Sequence, residues 1–150
     1  MVKQLDDIRL EEHVGLDLWR AAIAWRKRLH DEMVQRGHAW YGDARNAIAT
    51  YLEPHGMSQA DLVRRMGMTK QAVQQLLDGL EADGIIMRQP DPDDGRGKRI
   101  VYTERGLAAV RDAVRIKKAI ERDYRAQLGD DAFRILRSSL RALAPSPEET

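Results

Sequence analysis

Four residues in one short stretch, Lys70, Gln71, Gln74 and Gln75, carry side chains suited to reading the edge of a base pair. Their spacing puts them, with Asp78, on the outward side of a helix whose inner side holds Val73, Leu76, Leu77 and Leu80. A glutamine amide can meet adenine N6 and N7 together in the major groove, and a lysine can reach guanine or a phosphate. Thr69 stands where it caps that helix, and the free N–H groups of a helix start favour an anion. A second cluster of cations, Arg96, Lys98 and Arg99, lies beside Gly95 and Gly97, which let the backbone come close to a surface. An arginine inserted into a minor groove senses its width and potential, so this cluster suits a readout of shape. Asp91, Asp93 and Asp94 share its loop and would repel phosphates, so at least one is expected to hold an arginine or cap the turn.

Other chemistry finds little support. His13, His30, His38 and His55 are scattered and gather no set of carboxylate or histidine companions on one obvious face, which leaves no metal site and no cofactor to propose. The serines have no evident base, and no phosphate-cradling glycine loop occurs, so the chain does not read as an enzyme. With no cysteine, thiolate nucleophiles, disulfides and cysteine-ligated zinc are excluded. The 25 basic and 24 acidic residues nearly cancel, so affinity for nucleic acid has to rest on where a few cations sit.

The elements that position these groups can be read along the 150 residues. No stretch approaches the roughly 18 apolar residues of a membrane span. Met1–Leu10 shows no basic-then-apolar leader, so a cytoplasmic protein without membrane contact is expected. Leu18, Ala22, Trp25, Leu29 and Met33, broadened by Leu16, Trp19 and Ile23, predict a long helix from about His13 to Gln35, closed by Gly37. A second helix is expected from Asp43 to Leu52, and a third from a Ser58 cap to Met66. Gly67 turns the chain into the helix from Lys70 to Ala82, stopped by Gly84. Residues 85–89 and 98–102 read as two strands of a hairpin around the polar tip. Thr103 caps a long helix with Val110, Val114, Ile116, Ile120, Tyr124 and Leu128 on its apolar side. After Gly129 a last helix carries Phe133, Leu136, Leu140 and Leu143, followed by a Pro/Ser/Glu tail. The carboxylate pairs Asp6-Asp7 and Asp130-Asp131 look like helix starts and flanks.

Leu62, Met66, Met68, Val73 and Leu76 fall where two short helices crossing steeply touch, with Gly67 at the turn, the spacing of a helix-turn-helix. The run from Leu62 to Ile86, then Asp91-Pro92-Asp93-Asp94-Gly95-Arg96 and Tyr102-Thr103-Glu104-Arg105-Gly106, resembles the MarR (multiple antibiotic resistance regulator) family of winged helix-turn-helix transcriptional regulators. Asp94 and Arg96 match that family's Asp-x-Arg at the wing tip, and Thr103 and Gly106 match the opening of the helix after the wing. Gln74 and Gln75 depart from the small hydroxyl and basic residues often found there, and Gly79 interrupts the reading helix without a sequence-level reason.

The resemblance implies a mainly α fold with a small β-hairpin wing. A winged helix-turn-helix head over 43–103 is flanked by dimerisation helices over 13–36 and 104–144. It further implies a homodimeric repressor on a palindromic double-stranded DNA operator. Thr69, Lys70, Gln71, Gln74, Gln75, Arg96 and Lys98 would contact DNA, with Asp94 supporting the wing. The wide apolar faces of the outer helices argue for a partner copy independently of family. A small effector is implied as well, for which Trp19, Trp25, His38, Trp40, Tyr41 and Arg45 could supply aromatic walls and a cation. The alternative is a winged-helix protein-interaction or ligand-binding module without DNA activity.

Overall fold

The computed structural model describes residues 12–144. The leader region Met1–Leu10, the Asp6-Asp7 pair and the tail after Ala144 lie outside the described residues. Helix α1 (Val14–Gln35) begins at His13, whose side chain accepts from the Leu16 amide, and Gly37 at φ 92° ends it. A 3₁₀ turn over Ala39–Gly42 follows, then α2 (Asn46–Tyr51). This second helix starts three residues later than the Asp43 start expected from the sequence. The Asp43 carboxylate accepts from the Arg45 amide, and its carbonyl accepts from Asn46, which makes a turn of the residues that had looked helical.

Strand β1 (Met57–Ser58) leads into α3 (Gln59–Met66), and α4 (Lys70–Ala82) follows after Gly67 at φ 61°. Strands β2 (Ile86–Pro90) and β3 (Lys98–Tyr102) form the hairpin, and β1 pairs with the far edge of β3 to give an antiparallel sheet of order β1-β3-β2. The third strand was not expected, because two residues carry no periodicity. It exists because Gly56 approaches β3 so closely that a Cβ there would stand 2.7 Å from the Ile100 carbonyl oxygen.

Thr103 caps α5 (Glu104–Leu128), and α6 (Asp130–Leu143) follows Gly129. The joint between wing and α5 is tight: a Cβ on Gly106 would lie 2.1 Å from the Ile85 carbonyl oxygen, so only glycine fits the motif there. One core joins the head to α5, with Ile48, Leu62, Val73, Leu77, Leu80, Ile86 and Ile100 packed with Ala109, Ile116 and Ile120. The buried side of α5 is built on Ala109, Ala113, Ile116 and Ile120; Val114 and Leu128, expected on the apolar side, stay exposed. In α1 only Leu29 and Met33 are buried, and in α6 only Phe133. No helix among the described residues is long and apolar enough to cross a membrane.

Candidate nucleic-acid interface

Two side-chain caps fix the helix pair. Ser58 Oγ accepts from the Asp61 amide at 3.1 Å and Thr69 Oγ1 from the Ala72 amide at 3.2 Å, so both helix starts leave few orphan donors. Leu62, Met66, Val73, Leu77 and Leu80 are buried beneath them, which forces the opposite side of α4 outward. Thr69, Lys70, Gln71, Gln75 and Asp78 are exposed there. Gln74 was expected to stand free beside them, but it is half-buried and bonded at both ends of its amide, to Gln59 at 2.8 Å and to Asp78 at 3.2 Å.

In the wing, acids hold the backbone. Asp91 is buried and accepts from the Asp93 amide, while its own amide donates to the Gly97 carbonyl. Asp94 accepts from the Arg96 amide at 3.1 Å with its side chain and from Gly97 with its carbonyl. Both acids are therefore turn supports, and neither holds an arginine. Arg99, grouped with the tip cations in the sequence, instead donates to the carbonyls of His55 and Gly56 and ties β3 to the loop before β1.

The eight cations between Ser58 and Gly106 divide into those held by groups of the protein and those left unpaired. Arg64 pairs with Asp61, Arg65 with Glu53, and Arg88 with Asp78 and Glu81. Arg99 and Arg105 donate to backbone carbonyls. Lys70, Arg96 and Lys98 form no ion pair among the described residues. These three line a single groove of about 380 Å³ between the start of α4 and the wing, floored by Gln59, Ala60, Val63 and Gly97. Converging unpaired cations raise the local potential far more than a net charge of +1 would indicate.

The expected effector residues do not converge. Trp19 is two-thirds exposed on α1, Trp40 is buried in the core, and His38 bonds Asp112 on α5 at 2.9 Å. That bond holds the Asp112 carboxyl below its ordinary range. His38 thus has a carboxylate companion after all, 74 residues away. Arg45 is clasped by Asp43 and Asp83 and lies over Gly79, where a Cβ would stand 3.1 Å from its Cδ. That contact supplies the reason for Gly79. Of the expected set only Trp25 and Tyr41 line the open cavity of about 470 Å³ between α1 and α2, with Arg26, His30, Asn46 and Lys117. His30 meets Tyr41 edge-on at 6.1 Å; burial, then Arg26, lowers its pKa, and burial raises that of Tyr41. Sequence spacing could not find this cavity, since its walls come from four separate elements.

Residues 47–97, from α2 to the wing, match the model of the MarR family. The whole chain is similar in structure to a probable transcriptional regulator from Pseudomonas aeruginosa (24% identity, TM-score 0.68, covering 91% of this chain and 100% of that one). It is also similar to wild-type MarR from E. coli in its apo form (18%, 0.66, 91% and 100%). A third likeness is to a MarR-family protein of Mycobacterium tuberculosis in complex with salicylic acid (22%, 0.64, 91% and 100%). At these identities the structural likeness speaks for the fold, and the family match is confined to residues 47–97. The chain has a winged helix-turn-helix fold like that of these proteins, and its residues 47–97 match the MarR family.

Proposed function

We propose that this protein is a sequence-specific, double-stranded DNA-binding transcriptional regulator of the cytoplasm, acting as a homodimeric repressor that a small anionic or aromatic ligand releases. The observation that carries the reading is the groove between α4 and the wing, lined by Lys70, Arg96 and Lys98 while the head's other cations are held by protein partners. Thr69, Lys70, Gln71, Gln74 and Gln75 would face the major groove, with Arg96 and Lys98 reaching the minor groove and Asp94 holding the wing turn. No chemical step is assigned to the chain.

Dimerisation is supported by apolar side chains left exposed on α1 and α6: Trp19, Ile23, Ile135, Leu136, Leu140 and Leu143. A two-fold pair of heads fits half-sites about one duplex turn apart, hence a palindromic operator. For the ligand, the cavity of Trp25, Arg26, His30, Tyr41 and Lys117 offers aromatic walls and cations for an anion.

Duplex binding measured over a salt series tests the reading. Wild type should bind with a steep salt slope. Arg96→Ala should weaken all sequences about tenfold and reduce the slope by roughly one ion per head. Absence of salt-dependent duplex binding by wild type would favour the protein-interaction module instead.

A further inference from the structure

Gln74 is the one base-reading candidate on α4 whose polar atoms are already engaged inside the protein. Its Nε2 donates to Asp78 Oδ1 at 3.2 Å, and its Oε1 accepts from Gln59 Nε2 at 2.8 Å. Asp78 is in turn fixed by Arg88, which donates to it through Nη2 at 2.7 Å and to Glu81 through Nη1 at 2.5 Å. Arg88 is mostly buried at the base of the wing, so the row is anchored at the sheet and runs across α4 to the first residue of α3.

The direction of this row is dictated by chemistry. An ionised carboxylate only accepts, and a guanidinium only donates. Asp78 therefore demands the nitrogen end of the Gln74 amide, and the oxygen end is left toward Gln59, which must answer with its own nitrogen. One N–H and one lone pair of Gln74 remain for a ligand, in a fixed left-to-right order. A free glutamine can turn its amide over and present the opposite order; this one cannot do so without breaking both bonds.

We propose that Gln59 and Asp78 are positioning residues that lock the amide of Gln74 and thereby set the base preferred at one position of each half-site. The inference rests on the DNA-reading function proposed above. The locked donor and acceptor match adenine N7 and N6, so adenine is the base specified. Gln74 makes the contact; Gln59 and Asp78 decide which way round it is made.

The test is selection of bound duplexes from a randomised library at fixed moderate salt, using the full chain and four variants. Wild type should enrich adenine on the order of tenfold at one symmetric pair of positions. Gln74→Ala should erase that enrichment and leave the others. Asp78→Asn keeps the shape but can donate as well as accept, so the same position should relax to two or more bases while the protein still binds. Gln59→Ala, which frees the other end of the amide, should relax it to a lesser degree. Asp61→Asn removes an acid elsewhere in the head and should raise affinity for all sequences with the preferences unchanged. If Asp78→Asn and Gln59→Ala keep the wild-type preference at every position, or if Gln74→Ala does, the positioning role is overturned while the DNA-reading function stands. If wild type retains no duplex at all, both fall together.

Discussion

Between Met57 and Tyr102 the only large apolar side chains that stand exposed are Met68 and Met87, whereas α1 exposes Val14, Leu18, Trp19, Ile23 and Val34 and α6 exposes Ile135, Leu136, Leu140 and Leu143. Polar groups show the reverse contrast. In the outer helices Lys27 pairs with Asp31, Arg28 with Glu32 and Asp123, and Arg134 with Asp131, while the head leaves Lys70, Arg96 and Lys98 open on one groove. Exposed ion pairs of this kind contribute little, so the outer helices gain their stability from apolar cover, and the described chain supplies only part of it. The head closes its own core and leaves a mainly polar surface. One region buries nearly all its large apolar side chains within the chain, and the other leaves a row of them exposed.

That contrast breaks most easily at α6. Leu140→Asp places a charge on the exposed apolar face, away from buried Phe133. In a two-fold interface each substitution acts twice, so a loss of roughly 1.5–3 kcal/mol per buried leucine doubles, weakening association by at least about 100-fold. Sedimentation should show a dimeric wild type and a monomeric variant at micromolar concentration, with helix content nearly unchanged because the head core is untouched. A wild type that sediments as a monomer would remove the contrast altogether.

A smaller effect probes a seam inside the head, between the turn before α2 and the end of α4. Arg45, held by Asp43 and Asp83, joins the turn before α2 to the end of α4 and occupies the space above Gly79. The burden of pairs on Arg45 raises its pKa further, so it stays charged at any working pH. Gly79→Ala improves helix propensity by roughly 1 kcal/mol, but its methyl meets a side chain that two carboxylates keep in place. Alone the substitution should be neutral or destabilising; in an Arg45→Ala background it should stabilise by about 1 kcal/mol. Denaturant titration of the four proteins measures the coupling, and simple additivity would show that Arg45 yields freely.

The seam also marks where legibility in the sequence ends. Caps at Ser58, Thr69 and Thr103, the turn at Gly67 and the extent of α4 were all readable, because each depends on residues within one turn of one another. So was the wing, through its glycines and acids. Strand β1, the bonds of Arg99 to His55 and Gly56, the His38–Asp112 pair and the clasp over Gly79 were not, since each joins positions far apart in the chain. For the candidate site the same division holds. Residue types single out Lys70 and Arg96 as candidates, but only three-dimensional placement shows that Arg99 is tied to backbone carbonyls and that Gln74 is held at both ends.

The smallest expected effect lies in the cavity beside this seam, where His30 packs edge-on to Tyr41. Burial, and then the neighbouring charge of Arg26, disfavours the protonated ring, with Asp31 opposing slightly, so the folded-state pKa lies below the usual 6.5. The unfolded chain therefore takes up its proton first as pH falls. Stability is fully present above pH 6.5, declines from there down to the lower folded-state pKa, and is flat below it as far as this group is concerned. Asp112, whose pKa is lowered from 3.8, adds its own loss only below that value. His30→Gln removes the titrating group while keeping a polar side chain of similar reach. Its unfolding midpoint should fall less than that of wild type between pH 6.5 and the folded-state value. Parallel curves for the two proteins across that interval would mean that His30 is as well hydrated in the folded chain as in the unfolded one, and the cavity wall would then be wetter than its packing against Tyr41 requires.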